Sequence, residues 1–277
     1  MKKPSTEKFN LNDGTYIRYF KIGSGKPILL LHTFRNRLEY SSELYKLLKK
    51  KFTVHVIDLP GFGDSPINSK TDYSIDFFTK SIVDFINEKK LRNLTIAGES
   101  IGAILAASVA NKMPKCVKKI FMFNPYDLDT YFGEGISRGN FFSRFIFFHI
   151  SLPVIGSFFS ALENKLILKK IMRGGFYNSS KLSDEYLDLL CESLKKKGYS
   201  YHFRNVLFNF CKNSRIKEIY KSLKVPRALI YGEYDWANPS ERLETKNYLS
   251  ISKLITIKNS IHFSFLENPL EVSKIIM

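Results

Sequence analysis

The sequence predicts an α/β fold: a mostly parallel central sheet flanked by helices, with a helical insertion after the sixth strand. Three observations carry this. Apolar, β-rich runs alternate with amphipathic helical segments through the first half of the chain. That alternation stops near residue 126 and resumes after about residue 222. With 277 residues, 44% of them hydrophobic, the chain is long enough to bury a large core.

The elements follow in order. A strand over 16–22 is preceded by the turn Asn12-Asp13-Gly14, whose residue types suit a hairpin and add antiparallel strands at one sheet edge. Strands over 27–31, 52–58, 94–97 and 120–123 alternate with helices over 38–50, 75–90 and 101–112. Such alternation gives parallel strands joined by helical crossovers. The strand pattern returns at 227–231 and 253–257.

Between these blocks the sequence reads as helices and loops, so residues 1–125 and 223–277 are expected to form the body and 126–222 a helical lid. Residues 141–162 are apolar enough to suggest a membrane span on length alone. Arg144, His149, Pro153 and Gly156 interrupt them, which favours two lid helices broken near Pro153. A lid that lies on an anionic membrane surface is the alternative role for this segment, because apolar surface flanked by basic residues suits an interfacial helix.

Forty-three Lys and Arg against 26 Asp and Glu give a net charge of +17. The charge comes in short lysine clusters (Lys49 to Lys51, Lys118 and Lys119, Lys195 to Lys197) and no nucleic-acid motif accompanies it. A solvated surface is therefore expected, with no nucleic-acid partner. The cysteines Cys116, Cys191 and Cys211 are odd in number and lack C-x-x-C spacing, as expected of buried thiols in the cytoplasm. Polar residues follow the two N-terminal lysines where a signal peptide needs an apolar stretch.

The segment Gly98-Glu99-Ser100-Ile101-Gly102 matches G-x-S-x-G between a short apolar strand and an Ala-rich helix. A strained turn there exposes the Ser100 hydroxyl at the C-terminal end of the strand, and the Ile101 amide at the helix start faces a forming oxyanion. On these residues the chain resembles the α/β-hydrolase superfamily, in its serine-nucleophile, lid-containing branch. Leu29-Leu-Leu-His32-Thr33-Phe34 is similar to the family's strand-ending H-G segment, which implies the Phe34 amide as second oxyanion donor. Asp58-Leu-Pro-Gly61-Phe-Gly63-Asp-Ser65 is similar to its D-x-P-G-x-G-x-S loop, a body-forming feature. Thr33 departs from the family glycine, so an altered oxyanion loop, or a binding role for the Thr33 hydroxyl, is expected. His32 is read as a structural residue bonded to nearby backbone. Arg35 and Arg37 are read as solvent-facing, with contact to an anionic substrate group as the alternative.

A serine needs a base, and histidine has the suitable pKa. Of His32, His55, His149, His202 and His262, only His262 lies between the last strand and the last helix, in a loop that resembles the family's histidine loop. Ile261 replaces a family glycine and is expected to narrow the site beside the imidazole. His55 is expected to pack in the core or at an edge, and His149 and His202 to belong to the lid. The loop Gly232-Glu233-Tyr234-Asp235 resembles the family's acid loop and implies Asp235 as the acid, with Asp127 as the alternative. The order Ser, Asp, His agrees with the fold.

The expected catalytic residues are thus Ser100, Asp235 and His262, with Phe34 and Ile101 as the oxyanion hole. Thr33, Trp236 and Phe263 are the substrate-binding candidates. No cofactor is called for, and the histidine spacing holds no metal-ligand pattern. The expected reaction is cleavage of a carboxylic ester or thioester of a small to medium apolar substrate. The Phe-rich lid, with phenylalanines at 141, 142, 145, 147, 148, 158 and 159, suggests that the substrate carries a medium or long apolar group. The alternative is non-hydrolytic use of the same pocket, by an acyltransferase, a lyase-like enzyme or a ligand-binding protein.

Overall fold

A computed structural model describes residues 4–129, 133–153, 155–210 and 212–277. Cys211, one of the three expected thiols, lies outside the described residues, and Cys116 and Cys191 are free. In chain order the elements are β1 (Glu7–Asn10), β2 (Tyr16–Ile22), β3 (Lys26–Leu31), α1 (Ser42–Leu48), β4 (Phe52–Ile57), α2 (Ile75–Glu88), β5 (Leu94–Glu99), α3 (Ile101–Lys112) and β6 (Val117–Phe123). Then come α4 (Glu134–Ser137), α5 (Phe141–Ser151), α6 (Gly156–Ala161), α7 (Lys165–Arg173), α8 (Asp184–Leu194), α9 (Tyr199–Phe210) and α10 (Asn213–Lys221). The chain closes with β7 (Arg227–Gly232), α11 (Pro239–Tyr248), β8 (Leu254–Ile257), α12 (Ser264–Glu267) and α13 (Pro269–Ile276).

The eight strands form one sheet in the order β1-β2-β4-β3-β5-β6-β7-β8. β1 and β2 form the expected antiparallel hairpin, with Asn10 opposite Tyr16 and Gly14 at φ 82° in its turn. β2 is antiparallel to β4, and every pairing from β4 to β8 is parallel. Both faces of the central strands are covered, which is why they read as unbroken apolar runs. One apolar cluster lies under α2 and α3, built on Leu29, Leu31, Ile96, Phe78, Ile82 and Ile104. A second lies under α1 and α13, built on Ile28, Leu30, Val54, Ala97, Leu44 and Val272.

The expected helix over 38–50 is split: a short 3₁₀ turn, Leu38–Ser41, precedes α1. Asp58 accounts for the tight start, accepting from the Leu38 amide at 2.7 Å. The insertion carries α4 to α10 between β6 and β7, and the apolar run at 141–162 is two helices, α5 ending at Ser151 and α6 starting at Gly156. No helix among the described residues is long and apolar enough to cross a membrane.

Arg35 and Arg37 are not solvent-facing: their side chains are 6% and 0% exposed. Arg37 donates to Glu39, Asp64 and, across the fold, the Leu189 carbonyl of α8. Arg18 joins the same network through Glu39, Asp58 and Asp64. The buried guanidinium groups of Arg18 and Arg37 are tolerated because each meets several carboxylate oxygens, whereas Arg35 pairs with Glu163. Lys196, two residues past α8, reaches the Gly61, Gly63 and Ser65 carbonyls, so the insertion is fastened to the 58–65 loop.

Candidate active site

Because β3 and β5 to β8 run parallel, the loops leaving their C-terminal ends gather at one edge of the sheet, where open α/β sheets bind ligands. These loops bring together the residues expected to act. Ser100 sits between β5 and α3 at φ 58°, ψ −121°, a region that costs a non-glycine residue energy. The flanking glycines make the turn possible. A Cβ on Gly98 would stand 2.0 Å from the Gly102 carbonyl oxygen, and one on Gly102 would stand 2.5 Å from that of Leu31. The Ser100 amide donates to the Phe123 carbonyl at 2.9 Å, pinning the elbow to β6.

His262 and Asp235 meet as expected, with Nδ1 and Oδ2 2.6 Å apart and both side chains at most 3% exposed. The contact makes Nδ1 the protonated nitrogen and leaves Nε2 as the acceptor. Nε2 is buried and has no hydrogen-bond partner, so the Ser100 hydroxyl does not bond to it in this state. Trp236 stacks on the imidazole, ring centres 3.9 Å apart and planes 14° apart, and its indole donates to the Gly174 carbonyl at 3.0 Å. The Gly175 carbonyl accepts from the His262 amide at 3.0 Å. Two backbone carbonyls of the insertion thus brace the histidine loop and its neighbour.

Asp127, the alternative acid, is elsewhere. It accepts from the Tyr220 hydroxyl at 3.0 Å and the Thr245 hydroxyl at 3.1 Å, and burial pushes its carboxyl up to about 8. A carboxyl held in its neutral form is a poor partner for an imidazolium.

Phe34 and Ile101 follow β3 and open α3, and neither amide donates to another group among the described residues. The His32 ring accepts from the Leu59 amide at 3.0 Å through Nε2, so Nδ1 donates to the Thr33 carbonyl at 2.7 Å. Burial lowers its pKa and keeps it neutral, in the structural role expected. Thr33 does not take up a positive φ; the left-handed residue of this loop is Arg35, at φ 63°. The loop therefore turns two residues later than a glycine after His32 would suggest.

Ser100 lines a narrow cavity together with Thr33, Phe34, Trp236 and Phe263, so all three substrate-binding candidates face the same space. It is about 20 Å³ of room for solvent centres, close to one water molecule. Its remaining walls are Arg35, Tyr126 and the apolar side chains Ile136, Ile171, Met172 and Leu207 from α4, α7 and α9, so Arg35, buried and not solvent-facing, also borders this space. Two expectations need correction here. Ile261 does not line the cavity; Trp236 and Phe263 crowd the imidazole instead. None of the seven phenylalanines from 141 to 159 lines it either, because α5 turns Phe141, Phe145 and Phe148 outward.

Sequence reasoning missed the support behind the triad. Asn124, fully buried at φ 43° after β6, donates to the His262 carbonyl at 2.9 Å and the Ser264 hydroxyl at 2.8 Å, and accepts from the Gly232 amide at 2.7 Å. Glu99, also fully buried, accepts from the Tyr40 hydroxyl and from the Phe265 amide at 3.3 Å. Burial pushes its carboxyl up to about 8. The only sequence signal was position: a polar residue directly after one buried strand and directly before the nucleophile.

Among the described residues no group of three or more His, Cys, Asp or Glu is arranged to hold a metal ion.

Comparison with known proteins agrees with this architecture. A pimeloyl-[acyl-carrier protein] methyl ester esterase of Wigglesworthia glossinidia brevipalpis is 23% identical over 92% of this chain and 94% of its own length. An uncharacterized protein of Mycobacterium tuberculosis is 27% identical over 62% of this chain, which spans only 47% of that protein. The solved epoxide hydrolase CorEH superposes with a TM-score of 0.81 at 19% identity, covering 98% of this chain and 96% of that one. The family model described as alpha/beta hydrolase fold matches residues 26–269, and the chain belongs to that family.

Proposed function

We propose that this protein is a serine hydrolase that cleaves a carboxylic ester or thioester of a small to medium apolar substrate through an acyl-enzyme on Ser100. The observation that carries the reading is the buried Asp235–His262 contact at 2.6 Å, with Nε2 unpaired and Trp236, stacked on the same imidazole, lining a cavity together with Ser100. The methyl ester esterase relative supports an ester as the bond attacked. A serine nucleophile argues against the aspartate-dependent chemistry of epoxide hydrolases. Residues 126–222 act in this reading as a lid over a body of 1–125 and 223–277, since they supply four apolar walls of the cavity. The free thiols Cys116 and Cys191 fit the cytoplasm as the compartment.

In the reaction, Ser100 Oγ attacks the carbonyl carbon as its proton passes to His262 Nε2, and Asp235 stabilises the imidazolium. The carbonyl oxygen takes up negative charge between the Phe34 and Ile101 amides. Collapse breaks the bond to the alcohol, which leaves with the proton from Nε2. Water then gives a proton to Nε2 and attacks the acyl carbon, releasing the acid and restoring Ser100. With room for about one water in the cavity, substrate binding in this reading requires the walls from α4, α7 and α9 to move apart. Release of p-nitrophenol from esters of graded chain length tests the reading: turnover is expected to rise beyond acetate, and a folded protein that turns over none of them contradicts it. Partition of the acyl group to an added alcohol in preference to water would favour the acyltransferase alternative.

A further inference from the structure

The outer face of the insertion carries apolar side chains left exposed among the described residues. On α5, Phe141, Phe145 and Phe148 are 84%, 52% and 62% exposed, and their spacing of four and three residues puts them on one helical face. The patch continues onto α6 through rings in contact. The His149 ring lies 4.3 Å from that of Phe145 and 4.8 Å from that of Phe159, and Phe159 meets Phe158, which is 64% exposed. Contiguous exposed aromatics of this kind mark an interaction surface.

Charge selects the partner. From Phe141 to Arg173 the sequence holds Arg144, Lys165, Lys169, Lys170 and Arg173 but a single acid, Glu163. The Glu163 side chain is 2% exposed and paired with Arg35, so it contributes nothing outward. Lys165 and Lys169 pair with Asp188 and Asp184 of α8, whereas Arg144, Lys170 and Arg173 are exposed and make no ion pair among the described residues. A second copy of the chain would set these cations against their own kind. An anionic lipid surface neutralises them while its acyl region takes the rings. At 11 residues α5 is roughly 16 Å long, about half a bilayer core, so it lies on the surface instead of crossing.

We propose that the aromatic face of α5 and α6, with Arg144 on α5 and Lys170, 4.7 Å from the Phe142 ring, at its rim, docks the protein on anionic phospholipid. The docking does not depend on the hydrolase chemistry, although α7 belongs to both: Ile171 and Met172 wall the Ser100 cavity.

The test is co-sedimentation of the full chain with vesicles of phosphatidylcholine alone and of phosphatidylcholine mixed with phosphatidylglycerol. Binding to the mixed vesicles is expected to be roughly tenfold or more tighter, and to weaken as NaCl rises from about 0.1 M to about 0.5 M. The variant Phe141→Ser/Phe145→Ser/Phe148→Ser should lose binding while keeping its circular dichroism and its turnover of a water-soluble short ester. Arg144→Glu/Lys170→Glu should lose the preference for the anionic vesicles. Wild type that stays in the supernatant, or that binds both vesicles equally, overturns the proposal. A wild-type dimer that the triple-serine variant dissociates, with no vesicle binding, assigns the face to a second copy and also overturns it.

Discussion

Asn124 binds the histidine loop and the acid loop at once: its Nδ2 donates to the His262 carbonyl at 2.9 Å while its Oδ1 accepts from the Gly232 amide at 2.7 Å. Gly232 ends the strand that leads to Asp235, so one buried amide sets the spacing between acid and base. Its backbone, held by the Ile230 carbonyl at 2.8 Å, is fixed in turn by the sheet.

Replacing Asn124 by Ala leaves the buried Gly232 amide without an acceptor and the His262 carbonyl without this donor. A loss of about 2–5 kcal/mol is expected from urea unfolding, with kcat reduced more than KM because the acid–base pair loosens. Asn124→Asp keeps the acceptor for Gly232 but puts a carboxylate beside Glu99, and should recover only part of the stability. Equal stability of Asn124→Ala and wild type would contradict this role.

The choice between the two candidate acids separates cleanly by mutation. Asp235→Asn is expected to lower kcat on the order of 10³–10⁴-fold with the fold intact, since the asparagine holds the wrong imidazole tautomer. Asp127→Asn keeps acceptors for Tyr220 and Thr245 and should stay within a few-fold of wild type. The reverse pattern in ester turnover would give the acid's part to Asp127.

The walls of the cavity set the acyl length. Met172→Ala and Leu207→Ala remove side chains that face Ser100, and each should move the preferred p-nitrophenyl ester to a longer chain. The same truncations cost stability, about 2–5 kcal/mol each, because both residues are buried at no more than 2% exposure. An unchanged chain-length profile in both would show that the acyl group lies elsewhere.

Glu99 makes stability fall as pH rises. Its folded pKa of about 8 stands above the ordinary 4.5, so the folded state holds the proton more tightly. The contribution is whole below about 4.5 and is lost as pH climbs through about 8. Asp127, also about 8, acts in the same direction. Thermal unfolding of Glu99→Gln between these limits should show a flatter decline with pH than wild type, and a parallel decline would contradict the assignment.

Much of this was legible in the sequence because the governing constraints are local. The tight turn at Ser100 was readable since only glycine fits at 98 and 102, where a Cβ would meet backbone oxygen. β2 and α3 were readable to the residue, their apolar runs being bounded by turn-forming neighbours. What stayed hidden depends on long-range placement. Asn124 looks like any turn residue after a strand until the loops of β7 and β8 close on it. Arg37 reads as a surface charge, yet its bond to Leu189 spans 152 positions. The cavity walls Ile136, Ile171, Met172 and Leu207 belong to amphipathic helices, and periodicity says that one face is buried without saying what it covers. Phe141, Phe145 and Phe148 of α5 misled for the opposite reason, since they lie on the outer face of the helix.

The most direct test of the account is labelling of the intact protein with a fluorophosphonate probe, read by mass spectrometry of the modified peptide. The account predicts a single adduct on Ser100, absent from Ser100→Ala and strongly slowed in His262→Ala. A folded wild type that takes no label, or takes it on another residue, would contradict the claim that Ser100 is the nucleophile.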